Sequence, residues 1–160
     1  MSRPPTRPAS RAASGSGFLE GIRFTGSFHV GESPIHAALR QLTSHLDAMQ
    51  IPYAIAGAMA LNAFGYRRAT TDIDVLLTAE GLARFKAAWL GRGYVERFAG
   101  SRGMRDAEHG VPIDVLLAGD YPGDGKPKRV RFPDPAQVAI PVEGLSVLPL
   151  ERLVELKLAS

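Results

Sequence analysis

Three aspartates and a glycine turn are the residues of this chain whose types and spacing could support chemistry. Asp72 and Asp74 lie two positions apart, where the apolar residues of 73–77 predict a strand. Because side chains alternate along a strand, both carboxylates should project from one face, with their Cα atoms roughly 7 Å apart. Two such carboxylates repel each other and are costly to bury unless a cation pairs them. Magnesium would do so, because it prefers oxygen ligands and usually keeps substrate phosphates as well.

The third aspartate, Asp114, lies inside the apolar segment 111–117, which predicts a second strand. Strands are depleted of aspartate, and a residue that breaks a local rule in a core element often marks function. If the two strands are neighbours, three carboxylates converge and suit two metal ions about 4 Å apart, which would activate a hydroxyl and steady a leaving phosphate. The alternative is a capping or hydrogen-bonded aspartate at a strand end.

The glycine turn, Gly57-Ala58, follows an apolar run over 53–56 and precedes helix-forming residues over 58–64. Small residues at such a turn let a phosphate approach free backbone N–H groups, and a helix N-terminus favours negative charge. A Gly-Ala turn alone would not indicate a phosphate site. This one does so because the acid pair follows it closely in the sequence.

The elements that must position these residues alternate between helix and strand. Further helices are predicted from Pro34, capped by Ser33, to about Met49; from Thr78 as the capping residue to a stop just before Gly91; and over 150–158. Further strands are predicted over 94–98, 138–140 and 145–148, and residues 119–135 predict a surface loop. This order predicts an α/β (α+β) domain with a small mixed β-sheet flanked by helices.

Composition narrows the class of protein. The 160 residues suit one domain, and 45% hydrophobic with 22% charged residues is ordinary globular composition. The absence of cysteine excludes disulfides, thiolate metal sites and thiol catalysis. No apolar run is long enough to span a bilayer, and no apolar stretch follows the N-terminal arginines as in a secretory signal. We therefore expect a cytoplasmic protein without a membrane partner.

The N-terminal segment differs from the rest of the chain. Residues 1–32 predict a poorly ordered segment, and residues 33–160 predict the folded domain. The net charge of +3 comes partly from Arg3, Arg7 and Arg11, which lie among Pro, Ser, Ala and Gly. The tail is expected to be a solvated leader; the alternative is an arm that contacts nucleic acid phosphates.

The motif residues resemble the nucleotidyltransferase superfamily that includes DNA polymerase beta. Its pattern is a Gly-Gly or Gly-Ser turn, a helix, an Asp-x-Asp strand and a third acid on a later strand. More narrowly, the stretch 57–75 is similar to abortive-infection-type nucleotidyltransferase toxins and their minimal bacterial relatives, in which an arginine and a threonine precede Asp-Ile-Asp. The resemblance covers residues 35–158 and is strongest over 53–77.

This resemblance implies a nucleotidyltransferase fold and a role for each motif residue. Asp72 and Asp74 would hold Mg²⁺, as two ions or with Mn²⁺ in its place, and Asp114 would complete the site and accept the proton of the incoming hydroxyl. Gly57 and Ala58 would hold the triphosphate. Ala58 stands where the family often has Ser or a second Gly, so it keeps the backbone donor but lacks a hydroxyl.

Two basic side chains and a threonine hydroxyl are further candidates for the site. Lys157 lies on or beside the apolar stripe of the last predicted helix, and the resemblance places it near the phosphates; the alternative is a lysine whose stem covers apolar surface. Arg68 would contact the triphosphate or simply flank a turn. Thr70 or Thr71 could orient an aspartate through its hydroxyl.

The function expected from these residues is transfer of a nucleoside monophosphate from a nucleoside triphosphate to a hydroxyl. The acceptor would be RNA such as a tRNA end, a protein or an aminoglycoside-like small molecule, and a toxin-like role would imply an antitoxin partner. One alternative is a non-catalytic module that binds nucleotide or a partner protein. Another is a nucleic-acid-binding accessory protein that uses the basic tail and the loop 126–131.

Overall fold

The structure, a computed structural model, describes residues 32–160. Its helices are α1 (Pro34–Ala48), α2 (Gly57–Ala63), α3 (Ala79–Trp89), α4 (Pro135–Val138) and α5 (Leu150–Leu158). Its strands are β1 (Ala54–Ala56), β2 (Ile73–Leu77), β3 (Tyr94–Glu96), β4 (Met104–Asp106), β5 (Pro112–Leu117), β6 (Ile140–Val142) and β7 (Leu145–Val147). The predicted poorly ordered segment and its arginines lie outside the described residues, apart from Glu32.

The strands found within residues 32–160 form one mixed sheet in the order β3-β4-β5-β2-β1-β7-β6. At its centre, β2 runs parallel to β5 and antiparallel to β1, and β1 runs parallel to β7. The outer pairs, β3 with β4 and β6 with β7, are antiparallel. The predicted mixed sheet flanked by helices is therefore confirmed.

Apolar side chains form a core on each side of this sheet. The larger core joins α1 and α3 to one face, with residues such as Leu42 and Phe85 against Ile73 and Ile113. The smaller core, around Leu76, is covered by α5 and the segment 130–139. Because β2 has apolar cover on both faces, its sequence is a nearly continuous apolar run, as is usual for a central strand. Asp74 is the exception in that run.

Several predicted elements have the bounds that the sequence indicates. β2 covers the predicted 73–77, and α5 covers the predicted 150–158. Thr78 caps α3 as predicted, because its Oγ1 accepts a hydrogen bond from the Gly81 N–H at 3.0 Å. This cap fixes where the chain leaves β2.

Other predictions require correction. Ser33 is the N-cap residue of α1, but its hydroxyl contacts His36 Nδ1 and caps no backbone group. The predicted strand 94–98 ends at Glu96, and the chain then forms β4, which the sequence did not indicate. The predicted strand 138–140 is instead the end of α4 followed by β6, because Asp134 caps a short helix at Ala136 N–H.

Among residues 32–160, no helix is both long enough and apolar enough to cross a bilayer.

Candidate active site

The centre of the candidate site is formed by Asp74 on β2 and Asp114 on β5. The register of this parallel pair places the two aspartates directly beside each other. Register neighbours point to the same side of a sheet, and Ile73 and Ile113, one position before them, are buried on the opposite side in the larger core. Both aspartates are half-buried. The condition for the carboxylates to converge, that the two aspartate-bearing strands are neighbours, is therefore met.

Asp72 joins this pair from the N-terminal end of β2. It lies one residue before the strand begins, so the prediction that Asp72 lies within the strand was wrong by one position. Thr70 Oγ1 lies 3.0 Å from Asp72 Oδ1 and 2.9 Å from the Asp72 carbonyl oxygen, and can donate its proton to either. Thr70, rather than the exposed Thr71, is therefore the hydroxyl that orients an aspartate.

Asp74 lacks a counter-charge. Burial first, and then the charges of Asp72 and Asp114, raise the pKa of Asp74 from 3.8 to about 6. Within residues 32–160 no hydrogen bond or ion pair reaches its carboxylate. A half-buried carboxylate beside two like charges is a position where a bound cation would be strongly stabilising.

Gly57 opens α2 against this carboxylate. β1 pairs with β2 so that Ala56 faces Asp74, and Gly57 follows with φ of +60°, which residues with side chains rarely adopt. A Cβ atom at Gly57 would lie 2.1 Å from Asp74 Oδ2. Both the backbone conformation and the close approach require glycine, so the glycine turn and the acid pair form one continuous feature.

Asp114 has a partner that the sequence did not suggest. Arg97, just after β3, forms an ion pair with it, at 2.7 Å between Nη2 and Oδ1. The side chain reaches Asp114 across Gly103, where a Cβ atom would lie 3.2 Å from Arg97 Nε. No local pattern around Arg97 could have revealed this contact, since it depends on β4 placing the turn 97–103 beside β5.

The predicted phosphate-binding residues lie on α2, in the turn after it and on α5. Arg68 lies in the turn after α2, where Asn62 accepts from the Arg68 N–H at 2.7 Å and donates to its carbonyl oxygen at 2.9 Å, leaving the guanidinium exposed. Lys157 is exposed on α5, the helix that covers the acid-bearing face of the sheet. In the described part of the chain neither forms an ion pair with the three aspartates. Together with Ala58, the second residue of α2, they remain predicted contacts.

The donor set fits a hard divalent cation. Three carboxylates offer the oxygen ligands that Mg²⁺ and Mn²⁺ prefer, and the lack of a counter-charge at Asp74 leaves that position open to a cation. As the side chains stand, no three acidic or histidine groups within 32–160 form a ready metal cluster. The Asp114 carboxylate is paired with Arg97.

The fold resembles those of solved nucleotidyltransferases, although no family model and no curated protein matches the sequence. A protein of Thermotoga maritima, provisionally assigned as a nucleotidyltransferase, matches with a TM-score of 0.58 and 16% identity over 82% of this chain and 87% of that one. Antibiotic-resistance factor ANT(2'')-Ia, crystallised with adenylyl-2''-tobramycin, matches with a TM-score of 0.45 and 17% identity over 69% of this chain and 66% of that one. Its solution structure gives 0.47 and 17% over 72% and 65%. The first match identifies the mixed α/β nucleotidyltransferase fold.

Proposed function

We propose that this chain is a metal-dependent nucleotidyltransferase, which moves a nucleoside monophosphate from a nucleoside triphosphate to an acceptor hydroxyl. The observation that carries the proposal is the placement of Asp74 beside Asp114 on parallel neighbouring strands, with Asp72 two residues before and no counter-charge at Asp74. The fold match supports a nucleotidyl-transfer function in general terms.

The proposed reaction is a substitution at the α-phosphorus. The acceptor oxygen forms a bond to phosphorus, the bond to the leaving pyrophosphate breaks, and Asp114 accepts the hydroxyl proton. Asp72 and Asp74 would hold Mg²⁺, which when bound supplies positive charge to the phosphates and lowers the pKa of the attacking hydroxyl. Thr70 keeps Asp72 oriented through its hydroxyl.

The predicted phosphate-binding residues would hold the triphosphate. The turn at Gly57 and Ala58 lets phosphate oxygens approach backbone N–H groups close to Asp74, because no side chain blocks the glycine. Arg68 and Lys157 are exposed cations that could pair with phosphate oxygens, Lys157 as a point charge and Arg68 as a bidentate donor.

A non-catalytic nucleotide-binding module is the second candidate. The ion pair between Arg97 and Asp114 favours it, since the carboxylate that would act as the base is already engaged by arginine. Ala58, which lacks a hydroxyl, also fits this alternative.

A nucleic-acid-binding accessory role receives less support from the loop 126–131. Lys126 and Lys128 both lie near Asp124, at 3.8 and 3.1 Å, and the Arg131 guanidinium stacks on Tyr121 at 4.6 Å from the ring centroid. Three of the basic side chains of that loop are therefore engaged locally.

The experiment that tests the proposal is transfer of an α-phosphate label from each of four nucleoside triphosphates in the presence of Mg²⁺. Cell RNA, cell protein and an aminoglycoside serve as separate acceptors. We expect the wild type to label one acceptor class and the Asp72→Asn/Asp74→Asn variant to lose on the order of 10²-fold or more in rate.

Asp47→Asn is the matched control, because Asp47 is an exposed aspartate on α1 outside the site. It should transfer label like the wild type. Nucleotide binding that depends on the two aspartates without any transfer would favour the non-catalytic module. Nucleic acid binding that is salt-dependent and indifferent to the aspartates would favour the accessory role.

A narrower form of the proposal concerns the acceptor. The similarity of residues 57–75 to nucleotidyltransferase toxins favours RNA or protein as the acceptor, and an antitoxin as the partner. Induced expression should then arrest growth in the wild type and not in the Asp72→Asn/Asp74→Asn variant.

A further inference from the structure

We infer that Arg97 is a positioning residue that occupies Asp114 until a divalent cation displaces it, and that it thereby weakens metal binding at the acidic site in the absence of nucleotide. The inference rests on the proposed function and goes beyond it, since it assigns a role to a residue outside the acidic motif. It starts from the ion pair of 2.7 Å between Arg97 Nη2 and Asp114 Oδ1.

The contact is built into the fold through Gly103. The φ of Gly103 is not in the positive region, so its backbone does not demand glycine. The space there is nevertheless tight: a Cβ atom would lie 3.2 Å from Arg97 Nε, 3.4 Å from Arg97 Cδ and 3.4 Å from the Ile113 carbonyl oxygen. The Arg97 N–H also donates to the Gly103 carbonyl oxygen across the turn. Gly103 therefore opens the route by which Arg97 crosses to β5.

The three aspartates differ in the partners of their carboxylates. Thr70 donates to Asp72, Arg97 neutralises Asp114, and nothing among residues 32–160 pairs with Asp74. The positive charge of the guanidinium offsets one of the three negative charges that a cation would meet. An incoming cation can therefore use Asp114 fully only after this pair opens.

The pair is accessible enough to open. The side chain of Arg97 is 41% exposed and that of Asp114 is 36% exposed. Ion pairs at such exposure are only weakly stabilising, because water competes for both partners. A divalent cation that also engages Asp74 can therefore replace Arg97 at Asp114, and the fold does not prevent the exchange.

The test is a titration of the full chain with Mn²⁺ at low ionic strength and without nucleotide. Electron paramagnetic resonance of the free ion measures how much Mn²⁺ is bound. Losing an exposed ion pair changes a binding equilibrium by about threefold to fivefold at most. We expect Arg97→Gln to bind Mn²⁺ about threefold to fivefold more tightly than the wild type, because the competing charge is gone. Arg97→Lys, which keeps the charge, should stay within about 1.5-fold of the wild type.

Two further variants separate this role from a structural one. Arg102→Gln is the matched control, since Arg102 forms an exposed ion pair with Asp120 at 2.5 Å and should leave Mn²⁺ affinity unchanged. In an Asp114→Asn background, Arg97→Gln should lose most of its gain, because its effect acts through that carboxylate. Thermal melting checks that each variant is folded.

The outcomes distinguish the role of Arg97 from the existence of the metal site. If the wild type binds Mn²⁺ and Asp74→Asn abolishes binding, but Arg97→Gln binds no more tightly than the wild type, the role of Arg97 is wrong and the metal site stands. If Arg97→Gln binds more weakly, Arg97 supports the metal ligand and does not oppose the cation. If the wild type binds no Mn²⁺, both the inference and the metal dependence fail.

Discussion

At the scale of single residues, burial and two neighbouring like charges both disfavour the ionised Asp74 carboxylate, so this side chain makes stability depend on pH. The folded-state pKa of about 6 lies above the ordinary value of 3.8, so the native state binds this proton more tightly than the unfolded state. The contribution to stability is therefore present below about pH 3.8 and is lost as the pH rises through about 6. At neutral pH the ionised side chain destabilises the metal-free protein.

Asp74→Asn should consequently stabilise the metal-free protein while it abolishes the proposed label transfer. We expect the free energy of unfolding at pH 8 to rise by about 1 to 3 kcal/mol, because the amide removes the charge and keeps the volume. Urea unfolding in EDTA at pH 8 and pH 4.5 measures this, and the gain should shrink at the lower pH. Asp47→Asn should show neither effect. A loss of stability at pH 8 would mean that Asp74 is not under electrostatic strain.

Gly57→Ala tests the contact between the glycine turn and the acid. The change should cost about 2 to 4 kcal/mol, because a positive φ is unfavourable for alanine and the new Cβ atom meets Asp74 Oδ2. Gly65→Ala is the matched control, since Gly65 also has a positive φ but has open space around it. That variant should cost only about 1 kcal/mol. Equal losses in chemical denaturation would show that the approach to Asp74 is not tight.

At this scale the sequence indicated the acids and the glycine by residue type and spacing. Asp72, Asp74 and Gly57 are close in sequence, so a strand and a turn are enough to bring them together. The approach of Asp114 required the assumption that two strands are neighbours, and the register bears it out. Arg97 could not be predicted, because its contact depends on a side chain that crosses a turn between two short strands.

At the scale of the elements, the N-cap of α3 determines the direction in which the chain continues after β2, the strand that carries Asp74. The Thr78 hydroxyl accepts from the Gly81 N–H at 3.0 Å, so Thr78→Ala leaves that donor without its partner. We expect a loss of about 1 kcal/mol in thermal or urea unfolding. Thr78→Ser, which keeps the hydroxyl, should lose less than half of that. Label transfer should be unchanged in both folded variants, since the cap touches no residue of the site.

The elements that the sequence predicted well are the long or strongly patterned ones. α1, β2, α3 and α5 have apolar periodicity or a buried run that local pattern can identify. β4 has only three residues, Met104, Arg105 and Asp106, and its strand state comes from pairing on both sides with β3 and β5. The pattern near 138–140 was misplaced because the capped turn α4 uses the apolar residues that precede β6.

At the scale of the whole described domain, the two faces of the sheet have different tasks. The larger core under α1 and α3 anchors β2 and β5 through their inward residues. The smaller core under α5 covers Leu76 and Leu116 but leaves Asp74 and Asp114, two positions earlier in each strand, half-buried. The acids therefore lie on rigid strands and yet can be reached from solvent, which is the arrangement that a phosphate-binding metal site needs.

Binding of a nucleotide with its metal should therefore stabilise the domain as a whole. A ligand that binds only the native state at a hundred times its Kd adds about 2.7 kcal/mol to the free energy of unfolding. We expect ATP, or whichever nucleoside triphosphate is preferred, to raise the Tm of the wild type in Mg²⁺ and to have little effect in EDTA. Asp47→Asn should respond like the wild type, whereas Asp72→Asn/Asp74→Asn should not respond, because the metal that joins triphosphate to protein has lost its ligands. An equal rise in EDTA would place the triphosphate on cations such as Arg68 and Lys157 alone, and the acidic residues would then need a different explanation.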